Sequence, residues 1–301
     1  RQDTHSGGGV TTATPWIGSD YRRGLRLIGL PFGYSLLLLA APLLLIFLLG
    51  FWTQDYLVLD RSFKLDNYIE AWSHPLYRVL MLRSLGISAV VTLATVLLAY
   101  PMAYFISFYG GNHKALWLFL VTIPFWTSYL LRVFLWKVIL GYNGVLNSTL
   151  EWLGLIEEPL TFILYNVNAV VITLTHAWAP FAILPIFVAL EKIDRSLLES
   201  ATDLGDSPLR RFLHVTLPLS MPGVVAAALI IFIPTIGDYV TPRLVGGKDG
   251  LMIANMIQVQ FSKANNAPLG AALAVSAMGI VSMVALLFVA LNRRWLRKQG
   301  S

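Results

Sequence analysis

The sequence predicts an all-α membrane protein with six transmembrane helices. Three observations carry that prediction. Of 301 residues, 56% are hydrophobic and 13% are charged, whereas soluble domains carry roughly 25% charged residues. Six apolar stretches are long enough to cross a bilayer, which takes about 20 residues. The net charge of +6 sits mostly beside those stretches. That placement is a topology signal and argues against a nucleic-acid partner.

Residues 1–24, with Gly7-Gly8-Gly9 and many Thr and Ser, read as a disordered tail. The first span lies between Arg26 and Asp55. No Ala-x-Ala-like site follows it, so it reads as a retained span and not a signal peptide. The second span lies between Arg83 and Lys114, the third from about Ala115 to Gly141, and the fourth from about Thr161 to Leu190. The fifth runs from near Pro218 to near Gly237, and the sixth lies between Lys263 and Arg293. Lys64 to Leu82 is long enough for an amphipathic surface helix. Asn147-Ser148-Thr149 matches a glycosylation sequon, a short and common pattern of little weight.

Orientation follows from Lys and Arg placement. One side receives Arg22, Arg23, Arg26, Lys114, Lys192, Arg195, Arg210, Arg211, Arg293 and Arg294. The other receives Arg61, Lys64, Arg78, Arg83, Arg243, Lys248 and Lys263, and its loop from Tyr142 to Leu160 has no Lys or Arg. The first side is therefore read as cytoplasmic, with both termini on it. Proline gathers in the third to fifth spans, at Pro124, Pro180, Pro185, Pro218, Pro222 and Pro234. Interior prolines bend helices. In a bilayer such breaks persist where protein or a water-filled cavity satisfies the freed groups, as in transporters.

Between the fourth and fifth spans, residues 191–218 form the most polar long segment of the second half. Asp194 to Gly205 reads as a short helix. Ser196 and Glu199 have capping-box spacing. Leu197, Ala201 and Leu204 share a face, and Gly205 suits the left-handed position that ends a helix. A second helix restarts with Ser207 as N-cap and Pro208 at its first position. Leu209, Phe212 and Leu213 form its apolar side. Such a unit with exposed apolar edges suits a partner's groove.

Catalytic patterns are missing. The sequence has no Walker-type loop, no His-Glu-x-x-His, no Gly-x-Ser-x-Gly and no paired intramembrane carboxylates; it has no cysteine. His176 reads as a hydrogen-bonded interior group ahead of a ligand or proton relay. Asp238, followed by Tyr239, ends the fifth span where a broken helix would reach a cavity. A carboxylate beside aromatic faces suits an organic ammonium, each ring adding roughly 0.5–2 kcal/mol. Trp126, Tyr129, Trp136 and Trp178 offer further rings. Two readings stand for each group: Asp238 is a pathway group or a helix cap, and Trp126 and Trp178 line the pathway or form an interfacial belt. Arg132 and Lys137 snorkel or pair with a carboxylate, and two cations in one span argue against a simple cation channel.

The residues Glu199-Ser200-Ala201, three more, Gly205, nine more, then Val215-x-Leu217-Pro218 resemble the EAA motif of bacterial ABC importer permeases. Ser200 and Val215 are small departures from that pattern, and the spacing is intact. Pro124 to Val133, Asn143 to Asn147, Pro159 to Thr161 and Phe232 to Gly247 are similar to spermidine/putrescine permeases, in particular the first of two unlike permease subunits. Arg83 precedes Ser84 where many relatives place Asn.

The resemblance implies a type I ABC importer permease fold over residues 25–298, in the bacterial cytoplasmic membrane, with a cytoplasmic coupling helix. It implies coupling residues Glu199, Ser200, Ala201, Asp203, Leu204, Gly205, Leu213 and Pro218. It implies a second permease subunit, two copies of an ABC ATPase that bind ATP and Mg, and an extracytoplasmic solute-binding protein. This chain would hold no cofactor or metal and hydrolyse no ATP. Asp238, Tyr239, Trp126, Tyr129 and Trp178 become the candidate substrate pathway for a polyamine. Relatives that carry ferric iron, thiosulfate, sulfate or phosphonates leave other cargoes open. An ATP-independent channel or carrier and an intramembrane enzyme are the other classes, and the EAA spacing argues against both.

Overall fold

A computed structural model describes residues 16–55 and 58–293. The chain divides into a unit ending at Leu48 and a larger one from Leu49 onward. The first unit is one helix, α1 (Trp16–Leu49), whose Leu27–Leu49 stretch is apolar and unburied. Residues 1–15 of the expected tail lie outside the described residues. Residues 16–24 of that tail are helical, so the helix starts earlier than expected. No proline interrupts Trp16 to Leu30, and Gly18, Gly24 and Gly29 each cost only about 1 kcal/mol. A helix already nucleated by its apolar span can propagate through them.

The second unit opens with an antiparallel hairpin, β1 (Thr53–Asp55) and β2 (Val58–Asp60), pairing Thr53 with Asp60. The short helix α2 (Asp66–Ser73) follows, within the segment expected to be amphipathic. Its Asn67 is buried because Nδ2 donates to the Gly50 and Trp52 carbonyls at 3.0 and 2.6 Å. Next comes α3 (Pro75–Tyr109), which starts two turns before the expected span. The start is set locally: His74 accepts from the Leu76 N–H at 3.3 Å, and Pro75 occupies the first helical position.

The expected third span is broken. Its halves, Gly111–Trp126 and Tyr129–Ile139, meet at 86°. The first half holds α4 (Lys114–Thr122) and a 3₁₀ turn at Ile123–Trp126, and the second is α5 (Tyr129–Ile139). Pro124 cannot donate to the helical ladder. The Thr122 and Thr127 hydroxyls donate to the Phe119 and Pro124 carbonyls at 2.8 and 2.7 Å, adding side-chain hydrogen bonds on either side of the break. Among the described residues, five single helices are long and apolar enough to span a membrane, or six counting this bent pair.

Beyond it lies α6 (Val145–Trp152). Asn147, the sequon residue, is buried: its amide donates to the Gly141 and Tyr142 carbonyls and its oxygen accepts from the Leu160 N–H at 3.0 Å. It staples the loop and presents no side chain for modification.

The core is a triangle of α3, α7 (Val167–Glu191) and α10 (Leu217–Ile236). Val91, Val170, Leu174, Ile183, Ile186 and Ile231 are wholly buried there. The α7 and α10 backbones approach closely at Gly223, where a Cβ would stand 2.5 Å from the Ala189 Cβ and the Pro185 carbonyl. Small residues permit such approaches between membrane helices. Two short helices after α10, α11 (Val240–Val245) and α12 (Ile253–Ser262), lead to α13 (Ala267–Leu291). Leu80, Ile253, Leu269 and Leu273 join α3, α12 and α13 in a second cluster. Ser84 on α3 accepts from the Ile253 N–H at 2.8 Å.

Candidate coupling helix and substrate pathway

The polar segment after α7 folds as α8 (Arg195–Asp203) and α9 (Pro208–Arg211). The start of α8 corrects one expectation. Asp194, not Ser196, is the N-cap: its Oδ1 accepts from the Ser196 N–H at 3.0 Å. An ionised oxygen is the stronger acceptor. The hydrogen bonds from the Ser196 backbone and side chain hold the Asp194 carboxyl below its ordinary range.

The end of α8 is a Schellman motif. Gly205 sits at φ +87°, its N–H donates to the Thr202 carbonyl at 2.9 Å, and the Asp206 N–H donates to the Ala201 carbonyl at 3.0 Å. Ser207 caps α9 through the Arg210 N–H with Pro208 at the first position, as expected. Arg211 donates to the Thr202 hydroxyl at 2.8 Å and fastens α9 to α8. A π-helical stretch, Phe212–Thr216, carries the chain into α10 at Leu217-Pro218.

Of the expected apolar face, Ala201 is buried, while Leu197 and Leu204 are exposed, Leu204 at 88%. Leu209 and Leu213 are exposed too, and so are Glu199, Ser200, Asp203 and Gly205. The segment thus presents leucines with carboxylates among them, on a helix of fixed ends.

Four residues before the start of α8, Glu191 ends α7. Its Oε1 accepts from the Ser107 hydroxyl and the Lys114 ammonium, both at 2.6 Å. One carboxylate therefore joins the ends of α3, α4 and α7 beside the polar segment. Sequence reading does not single out this node, because its members are far apart in the chain.

Just past the far end of α10 lies Asp238. It is buried, at 9% exposure. Oδ1 accepts from the Val240 and Thr241 N–H groups at 2.9 and 3.4 Å, and Oδ2 accepts from the Tyr129 hydroxyl at 2.6 Å. The Tyr129 hydroxyl also lies 2.7 Å from the Thr241 hydroxyl. The carboxylate thus sits one residue before Tyr239, the N-cap of α11, and holds the first two N–H groups of that helix. It is also tied to the broken third span, where the pathway reading puts its aromatic partners.

The expected pathway residues do not all gather. Tyr129 and Trp178 meet at 6.4 Å between ring centroids. Trp126 is 76% exposed and packs edge-on against Phe119 instead. The turn at Ile123–Trp126 points successive side chains apart. Tyr239 is exposed, and its carbonyl accepts from the Asn255 amide at 2.7 Å. In their place stand Phe125 and Phe181, which meet edge to face at 4.3 Å. Trp178 contacts Phe181 at 5.5 Å. Phe181 lies three residues beyond Trp178 on α7, a helical spacing that could have pointed to it.

Arg132 is buried and belongs to the same cluster. His176 accepts from the Trp136 indole at 3.1 Å but is exposed, so the hydrogen bond in the expected reading is present and the interior position is not. An apolar groove of about 640 Å³ between α10, α12 and α13 is lined by residues such as Ile233, Ala254, Ala277 and Val281. With no charged lining it has nothing to hold an ammonium. Among the described residues, no group of three His, Asp or Glu could hold a metal ion.

Residues 29–298 match the family model described as binding-protein-dependent transport system inner membrane component. The spermidine/putrescine transport system permease protein PotB of Escherichia coli (strain K12) is 36% identical over 261 residues, covering 85% of this chain and 93% of that protein. PotB of Haemophilus influenzae is 34% identical over 276 residues, covering 90% and 94%. Among solved structures, a bacterial ABC transporter involved in the import of the acidic polysaccharide alginate superposes with a TM-score of 0.70 at 17% identity. The match covers 92% of this chain and 98% of that one. The expected all-α, type I ABC importer permease fold is thus the one observed, with the small β1–β2 hairpin added to it.

Proposed function

The chain belongs to the family of binding-protein-dependent transport system inner membrane components, and from that premise we propose that it forms half of the translocation pathway of an ATP-driven polyamine importer. It works as a multi-pass subunit of the bacterial inner membrane with both termini in the cytoplasm. Its partners are a second, unlike permease, two ABC ATPases that bind ATP and Mg, and an extracytoplasmic solute-binding protein. The chain itself is non-catalytic.

The observation that carries the reading is α8. It has the EAA spacing, fixed ends and outward leucines, at the end of the bundle that the Lys and Arg distribution assigns to the cytoplasm. Such a helix suits the groove of an ATPase subunit. ATP binding would draw the ATPases together and move the docked helices. The bend of the third span and the proline-rich α7 and α10 are the parts able to change shape. Glu191 is placed to carry movement of α8 to α3 and α4 through its two short hydrogen bonds.

A polyamine cargo is supported by the PotB relatives, which are permeases of spermidine/putrescine transport systems. The Asp238 carboxylate beside Tyr129, with Trp178 next to it, also supports it. One feature favours an anionic cargo instead, such as a phosphonate: the buried guanidinium of Arg132.

The test is ATPase activity of the reconstituted complex. Spermidine-loaded binding protein is expected to stimulate hydrolysis, and the same protein without spermidine is not. Stimulation by a phosphonate-loaded protein alone would transfer the cargo assignment. Full ATP-independent flux through this chain alone would remove the importer reading.

A further inference from the structure

The aromatic cluster beside Asp238 already contains a cation. The Arg132 guanidinium lies 4.7 Å from the Phe125 ring centroid and 5.8 Å from that of Tyr129. Tyr129 contacts Trp178, Trp178 contacts Phe181, and Phe181 contacts Phe125, so the circuit closes on itself. No carboxylate pairs with Arg132 among the described residues. Among the described residues its Nε has no hydrogen-bond partner, and Nη1 reaches the Ala177 carbonyl only at 3.5 Å. A charge inside a membrane protein ordinarily faces a counter-ion or backbone carbonyls. This one is held chiefly by ring faces, a weaker hold that becomes substantial when desolvated. The nearby carboxylate is turned to Tyr129 instead.

We propose that Arg132 is the resident cation of the substrate path, occupying the ring faces that an incoming ammonium would use, so that cargo must displace it to pass. The inference rests on the polyamine reading above and adds a specificity-determining residue to it. Displacement requires two things at once. One cationic group must replace the Tyr129 hydroxyl at Asp238 Oδ2, and another must replace the guanidinium over Phe125. A single chain bearing two or more ammonium groups can do both. A potassium or sodium ion carries one charge, so it can satisfy one position while Arg132 repels it from the other. Arg132 therefore resolves the presence of a buried cation in a path for cations: it excludes the abundant monovalent ones.

The experiment is isothermal titration of spermidine into the full detergent-solubilised complex without binding protein. Arg132→Gln and Arg132→Met remove the charge, and Met also fills the space against Phe125. Both are expected to bind spermidine about ten-fold more tightly or better than wild type, since the positive charge over the Phe125 and Tyr129 rings is lost. Arg132→Lys keeps the charge and is expected to stay within a few-fold of wild type. Potassium should compete with spermidine in the neutral variants and not in wild type or in the Lys variant. Equal spermidine affinity in all four proteins, or loss of binding in the neutral variants while assembly persists, would overturn the proposal. Should the neutral variants not assemble, the wild-type complex still decides: potassium is expected to leave its spermidine affinity unchanged, and competition there would count against the proposal. Failure of the polyamine reading shows separately, as a wild-type complex that spermidine-loaded binding protein does not stimulate.

Discussion

Replacing Gly205 by alanine isolates one physical effect in the coupling segment. Gly205 adopts φ +87°, and a Cβ built there meets nothing within 4 Å. Crowding therefore contributes nothing, and the cost is that of holding an L-residue in a left-handed conformation, about 1–2 kcal/mol. That corresponds to a factor of roughly 5–30 in the population of the capped form. Two hydrogen bonds depend on that form, from the Gly205 and Asp206 N–H groups to the Thr202 and Ala201 carbonyls. Losing it frees the end of α8 and the outward Leu204. In the reconstituted complex, Gly205→Ala is expected to reduce stimulation of ATPase by loaded binding protein several-fold, with basal hydrolysis and assembly near wild type. Gly205→Asn should recover most of it, because asparagine visits the left-handed region readily. Wild-type stimulation in the alanine variant, or an asparagine variant as impaired as Gly205→Leu, would refute the assignment of Gly205 as a conformational cap.

Three further outcomes are expected. Asp238→Asn keeps an oxygen for the Val240 and Thr241 N–H groups and removes the charge, so it should assemble normally and slow spermidine uptake with basal ATPase activity intact; Asp238→Ala also orphans those donors and should cost about 1–3 kcal/mol of stability, read as thermal melting of the complex. Glu191→Gln and Lys114→Gln should each lower stimulated but not basal ATPase activity, and the swap Lys114→Glu with Glu191→Lys should restore part of the loss; equal loss of basal and stimulated rates would make the pair merely structural. The Asp194 carboxyl is lowered in the folded state by its bonds from Ser196, so its support of α8 is complete above the usual carboxylate range and fades as pH falls through the lowered value. Protection of the α8 amides, taken relative to their intrinsic exchange rate, should therefore fall on the acid side in wild type, and Asp194→Asn should abolish that change.

Much of the coupling segment was legible in the sequence because its signals are local. Gly205, Ser207 and Pro208 each act through backbone preferences that need no distant partner. Ser196 misled because the cap sits two residues earlier: the Asp194 carboxylate accepts from the Ser196 N–H, which puts Ser196 inside the first turn. Spans were legible as apolar runs, but the 86° break was not. Pro124 marks where the ladder fails without giving the angle, which depends on the packing of both halves. α11 and α12 carry no strong period. They are held from outside, by Asp238 at the start of one and by Asn255, which accepts from the Met252 N–H and donates to the Tyr239 carbonyl. The pathway was the least legible part. Tyr129 meets Asp238 across 109 positions of chain, and nothing local distinguishes it from Trp126, which packs elsewhere.

The central claim is that this chain forms half of the membrane pathway of an ATP-driven polyamine importer, coupled through α8. Spermidine uptake into proteoliposomes that contain the complete complex, ATP and loaded binding protein tests it most directly. The account predicts accumulation that needs ATP and falls several-fold when Gly205→Leu is introduced into this chain. ATP-independent accumulation, or uptake unchanged by that substitution, would contradict it.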